Sequence, residues 1–229
     1  IDSDAVVVMG HANAATFHGL TGGATSFNIV KDRQPITLSQ IKPYDVATYD
    51  QLTNTLVVSD LRMTAVYTDP APTPKTPLTI QVAGNKFDVL QSAWDTIGDI
   101  KPGDNVSLLL TADGKVAGIV KSDPKVRSTA IGMVTEGSAE IFLPNGSTLK
   151  LSGKVSNAAS VGGQPVVISA GRDAFSVSRL SENRAPGAFD VPGLKLGKLT
   201  VSSSVRIYDQ SQSGSVVSVD RGSLDMASI

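Results

Sequence analysis

Cysteine is absent from all 229 residues. Disulfides, thiolate zinc sites and cysteine nucleophiles are thereby excluded, while the redox compartment stays open. No apolar run approaches the ~20 residues that a membrane-spanning helix needs, so membrane insertion is not expected. The chain starts at Ile1 without Met or a basic-then-apolar leader, which reads as an excised piece of a longer polypeptide. Neither charge sign dominates. Lys and Arg number 20 against 21 Asp and Glu, a net charge of −1, so nucleic acid and anionic membranes are poor partners. Aromatics are scarce at 5% with a single tryptophan, whereas carbohydrate sites usually present several. Nucleophile elbows, phosphate loops, dinucleotide fingerprints and zinc motifs are also missing. GLTGG at Gly19–Gly23 has the glycines of a phosphate loop but no Lys-Ser/Thr ending.

What the chain does contain is repetition. IKPYD at Ile41–Asp45 returns as IKPGD at Ile100–Asp104, an offset of 59, and Gly103, Val106 and Asp113 return as Gly163, Val166 and Asp173 at an offset of 60. YDQLTNTLVVS at Tyr49–Ser59 matches YDQSQSGSVVS at Tyr208–Ser218 without a gap, so four copies each end in a hairpin. With 41% hydrophobic residues there is enough apolar material for packed cores. The copies are expected at 1–60 (a partial β module), 61–124 and 125–183 (complete small barrels) and 184–229 (a second partial module). Polar, aperiodic KSDPKVR and SENRAPG separate them.

The apolar pattern is almost everywhere the period of two of half-buried strands. In the fullest copy, strands are predicted at Met63–Thr68, Leu78–Val82, Lys86–Leu90, Asn105–Leu110 and Val116–Val120, with Asp113-Gly114 turning the last hairpin. Trp94, Ile97 and Ile100 at spacing three predict a helical turn that covers one end of a barrel. The next copy repeats this order with Thr129–Val134, Ala139–Leu143, Thr148–Leu151, Val166–Ser169 and Ala174–Leu180. DPAPTPKTP at Asp69–Pro77, with four prolines in nine residues, is read as a stiff loop joining the first two strands. The expected fold class is all-β, as tandem small OB-like β-barrel repeats of about 60 residues with short helical turns. Such a barrel is marginal alone, so neighbouring copies should share interfaces, and the incomplete end segments are expected to pair with strands of adjacent copies.

Candidate chemistry is thin. His11 and His18 are seven apart without an acidic or cysteine companion at ligand spacing, which favours a loop or edge-strand role over a metal site. Asp2, Asp4, Asp99 and Asp104 offer a weak calcium reading, and solvated positions suit them better. Asp45 and Asp104 recur because the turn recurs: Pro fixes φ, and Asp accepts a backbone hydrogen bond before the strand. Trp94 reads as a packing residue before a sugar platform. No catalytic, cofactor-binding or metal-ligating residue is assigned, no cofactor is expected, and the chain is not expected to be an enzyme. Paired carboxylates facing each other at ~5–9.5 Å from separate strands are the one hydrolytic arrangement that local motifs would not reveal.

YDVATYDQLTNTLVVSDLRMTAVY at 44–67, the Pro-rich loop after it, and IKPGDNVSLLLTADGKVAGIV at 100–120 resemble the repeated β region of large bacterial cell-surface proteins that carry S-layer homology domains, of Firmicutes type. The resemblance covers most of the chain and is strongest from Tyr44 to Lys121. The S-layer homology motif itself is absent, so wall anchoring is carried onto no residue. The resemblance implies an exported, extracellular structural or spacer module of an S-layer-associated cell-surface protein, its partners being neighbouring domains of the same protein. The alternative is an adhesive module for cell-wall or host glycans, with Tyr44, Tyr49, Tyr67, Trp94 or Tyr208 contacting sugar.

Overall fold

The computed structural model describes residues 4–161, 163–180, 187–203, 205–211 and 216–224. These are all-β, in several small sheets joined by short helical turns. No helix among the described residues is long and apolar enough to cross a membrane.

The first sheet holds β1 (Val6–Val7), β2 (Asn28–Lys31), β3 (Gln34–Pro35), β4 (Val46–Asp50) and β5 (Thr55–Ser59), in the order β1-β4-β5-β2-β3. β2 runs parallel to β5, with Val30 opposite Val57. Phe17 and Leu20, from a helical stretch spanning 14–21 that includes α1 (His18–Thr21), close its core with Ile29, Ala47, Leu56 and Val58. β1 pairs with β4 of its own copy. The expectation that the N-terminal segment completes a neighbour by strand pairing is therefore not met.

Residues 62–121 form β6 (Arg62–Val66), β7 (Thr68–Ala71), β8 (Thr79–Val82), β9 (Asn85–Asp88), α2 (Trp94–Ile97), β10 (Asn105–Leu110) and β11 (Val116–Lys121). One sheet runs β11-β10-β6 and the other β7-β8-β9, and a parallel bridge between Val89 and Val116 links them. Burial along β6 alternates, but β10 and β11 are buried on both faces. Period two explains how: Val106, Leu108 and Leu110 enter one core, while Leu109, with Ala117 and Val120 of β11, enters a second core against Ala5 and Val46 of the first sheet. Gly118 permits that second contact, because a Cβ there would lie 2.9 Å from Leu109 and 3.1 Å from Val7. The Pro-rich segment does join the first two strands, though its start extends the first strand as β7. Its carbonyls are pinned from below, as the Tyr67 hydroxyl donates to Pro74 O at 2.6 Å and the Trp94 indole N–H to Pro77 O at 2.8 Å.

Residues 131–179 form β12 (Ile131–Thr135), β13 (Ser138–Phe142), β14 (Thr148–Ser152), β15 (Lys154–Ser156), β16 (Val166–Ala170) and β17 (Ala174–Arg179), in the order β14-β13-β12-β16-β17-β15. β14 and β15 are two halves of one run broken at Gly153, whose φ is 144°. Both hairpin turns of this type place glycine in the left-handed region, Gly114 at 89° and Gly146 at 90°. Each ends a three-residue loop closed by Thr111 N to Lys115 O or Leu143 N to Ser147 O, one residue longer than a bare two-residue Asp-Gly turn. The two regions are joined at Arg62, whose carbonyl accepts the Thr129 and Ala130 N–H groups at 2.9 and 3.1 Å. Their interiors merge into a single apolar cluster from Leu61 to Phe175.

The last described segments are a small sheet of β18 (Phe189–Asp190), β19 (Lys195–Leu196) and β20 (Leu199–Thr200), then a hairpin of β21 (Ile207–Gln210) and β22 (Val216–Val219). The match of YDQLTNTLVVS to YDQSQSGSVVS thus corresponds to two hairpins, β4–β5 and β21–β22. Among the described residues β21 and β22 pair only with each other. SENRAPG, apart from Gly187, and Asp2 lie outside the described residues.

Candidate functional site

Three cations and three carboxylates converge where the first sheet, the Asp60–Arg62 junction and the C-terminal hairpin meet. β2 begins the arrangement. Its alternation turns Ile29 and Lys31 inward, and a lysine in an apolar-parity position must find counter-charges, because an unpaired buried charge costs several kcal/mol. Lys31 is 7% exposed and its Nζ lies 2.9 Å from Asp45 Oδ2 and 3.2 Å from Asp60 Oδ2. Asp45 is 1% exposed, with Arg62 Nη2 at 3.6 Å from its Oδ1. Arg206 precedes β21 and reaches across the junction, its Nε donating to Asp32 Oδ1 at 3.1 Å, Nη2 to Asp60 and Nη1 to Thr129 O at 3.4 Å.

Burial pushes the Asp32 carboxyl above its usual range, and the Arg206 charge only partly opposes it. Asp60 ends below that range: burial pushes up, but the Arg206 and Lys31 charges and the Lys31 hydrogen bond together outweigh it. Arg206 is lifted, because Asp60 and Asp32 outweigh its own desolvation. Burial raises the Tyr208 hydroxyl too, and Tyr208 stacks on Phe142 with centroids 5.0 Å apart. Around this centre, Arg33 donates to Ser218 Oγ at 3.2 Å, Gln34 to Asp220 Oδ1 at 2.9 Å and Arg221 to Gln34 Oε1 at 3.1 Å. Lys31 and Asp60 also border a cleft of about 310 Å³ shared with Ser39, Gln40 and Lys42.

The turn expected at Asp45 and Asp104 is present at both positions. The Lys42 N–H donates to Asp45 Oδ2 at 3.0 Å, and the Lys101 N–H to Asp104 Oδ2 at 2.9 Å. The preceding residue is left-handed in each, Tyr44 at 68° and Gly103 at 100°. Asp104 differs in standing exposed. Asp99 is exposed and paired with Lys121 at 2.8 Å, and Asp4 is exposed. His11 lies in exposed coil, and His18, also exposed, begins α1, so a helix replaces the loop or strand expected there. GLTGG is the body and end of that same helix. Among the described residues no group of three or more His, Cys, Asp or Glu side chains is placed to hold a metal.

None of the aromatic side chains is exposed. Tyr67 is fully buried, its hydroxyl pushed up to about 12 by desolvation, while Tyr44, Tyr49, Trp94 and Tyr208 are half-buried. Lys31, Asp32, Asp60, Arg62 and Arg206 escaped sequence reasoning. Lys31 alone carries a local signal, its parity with Ile29; the others meet across separations of up to 174 residues. Comparison with family models, curated proteins and solved structures finds no match to this chain.

Proposed function

We propose that this chain is a non-catalytic structural or spacer module of an exported, S-layer-associated bacterial cell-surface protein, built from tandem OB-like barrels with modules at 1–60, 61–124, 125–183 and 184–229. The observation that carries this reading is the single apolar cluster running through both middle regions, tied at its rim by a charge network whose three cations and three carboxylates neutralise one another. Such a unit transmits load between neighbours. The barrel reading is supported by strand order. In 62–121 the first strand bends from β6 into β7, and Val89, the residue after β9, bridges Val116 of β11 in parallel; in 131–179, β15 meets β17 in parallel across Val155 and Phe175. A third strand parallel to the fifth is what closing a five-stranded barrel of this order requires. The extracellular setting rests on the resemblance of residues 44–121.

The adhesive alternative needs stacking platforms, and that Tyr67 is buried and Tyr44, Tyr49, Trp94 and Tyr208 are only half-exposed weighs against it. Titrating the chain with bacterial wall polysaccharides and host glycans, while reading Trp94 fluorescence, separates the two. Flat curves across the panel are expected. Saturable binding to one glycan would replace the spacer reading with the adhesive one.

A further inference from the structure

Asp45 and Asp104 perform the same turn, yet only Asp45 is sunk to 1% exposure and met by a buried lysine. Accepting a backbone N–H, as Asp104 does in solvent, explains neither the burial nor the lysine. Asp45 Oδ1 also has no hydrogen-bond partner, its nearest cation being Arg62 at 3.6 Å. A second carboxylate, Asp60, stands 3.2 Å from the same Nζ. An amine held against a buried carboxylate, with a second carboxylate on the same amine to take its proton, is an arrangement in which an ion pair can lose water to become an amide.

We propose that Lys31 and Asp45 condense into an intramolecular isopeptide bond, with Asp60 carrying the protons. Asp60 takes a proton from the Lys31 ammonium, and the freed Nζ lone pair attacks Asp45 Cγ. Lys42 N–H at Oδ2 and the Arg62 guanidinium beside Oδ1 stabilise the negative charge of the tetrahedral intermediate. The Cγ–Oδ1 bond then breaks. Oδ1 leaves as water with two of the three ammonium protons, one of them delivered by Asp60, which returns to its carboxylate. Oδ2 becomes the amide oxygen and keeps the Lys42 hydrogen bond. No oxidant or co-reactant is needed, and the bond fastens the end of β2 to the strand entry of β4.

Intact mass of the folded chain after incubation at neutral pH tests this directly. The expected mass is lower than the sequence mass by one water, and a digest contains a branched peptide joining Lys31 to Asp45. Lys31→Arg, which keeps the charge, and Asp45→Ala stay at full mass; Asp60→Asn, checked for folding by circular dichroism, converts at least ten-fold more slowly. Asp104→Ala still loses the water. Wild-type protein that is folded yet remains at full mass overturns the proposal. So does a water loss that maps to a succinimide at Asp113-Gly114 rather than to a branched peptide.

Discussion

Burial pushes the Asp32 and Asp60 carboxyls up alike, but the Arg206 and Lys31 charges reverse the shift only at Asp60, and acid separates the two. Asp60 titrates below its unfolded value in the folded protein, so its contribution is complete above the unfolded pKa and is lost as pH falls through the folded one. Asp32 titrates above its unfolded value, so ionising it opposes folding, and acidification removes that opposition. Urea denaturation of wild type, Asp60→Asn and Asp32→Asn between about pH 3 and 7 reads this as two slopes. The advantage of wild type over Asp60→Asn should shrink toward acid, and its standing against Asp32→Asn should improve. Parallel slopes would mean that Arg206 does not discriminate between the two carboxylates.

At the scale of elements, the β21–β22 hairpin is an appendage held by side chains. Among the described residues its backbone ladder is internal, and Arg206 supplies charged contacts to Asp32 and Asp60. Removing one partner from a largely buried ionic group leaves the others uncompensated and costs up to ~3 kcal/mol. Arg206→Ala should therefore expose 205–211 to protease several-fold faster while β10 and β11 stay protected, because their contacts are apolar and close on both faces. Cleavage at the wild-type rate would show that Tyr208 on Phe142 and the Gln34 hydrogen bonds suffice to seat the hairpin. The strands of 62–121 were legible in advance because alternation is a local signal; β10, Asn105–Leu110, has the expected bounds. The seat of the hairpin was not legible, because it is a meeting of residues 32, 60, 129 and 206.

For the whole molecule, the shared core of 61–175 makes a prediction about cooperativity. Leu108 and Phe175 are both fully buried, one from each region, and truncating either to alanine should cost ~3–5 kcal/mol. Because the two belong to one cluster, each substitution is expected to lower the same calorimetric transition. Two peaks that shift independently would mean that each region folds alone and that the Arg62–Thr129 junction couples them weakly. Neighbouring regions were expected to share surfaces, and one apolar cluster runs through 62–121 and 131–179. The expected strand exchange at the N-terminal end does not occur, since β1 has a free edge of β4 within its own sheet and reaches its neighbour through Val7 over Gly118 instead.

By itself the sequence determined the all-β character, the hairpins and the repeated Pro-x-Asp turn, since alternation and turn chemistry act over a few residues. Tertiary structure alone decided which of two identical turns would bury its aspartate. Lys42 and Lys101 make the same backbone bond, but only at Asp45 does the first sheet bring in a lysine from β2 and lay the Asp60–Arg62 junction over it. Burial and charge pairing depend on what the fold packs alongside a residue, and no local pattern encodes that.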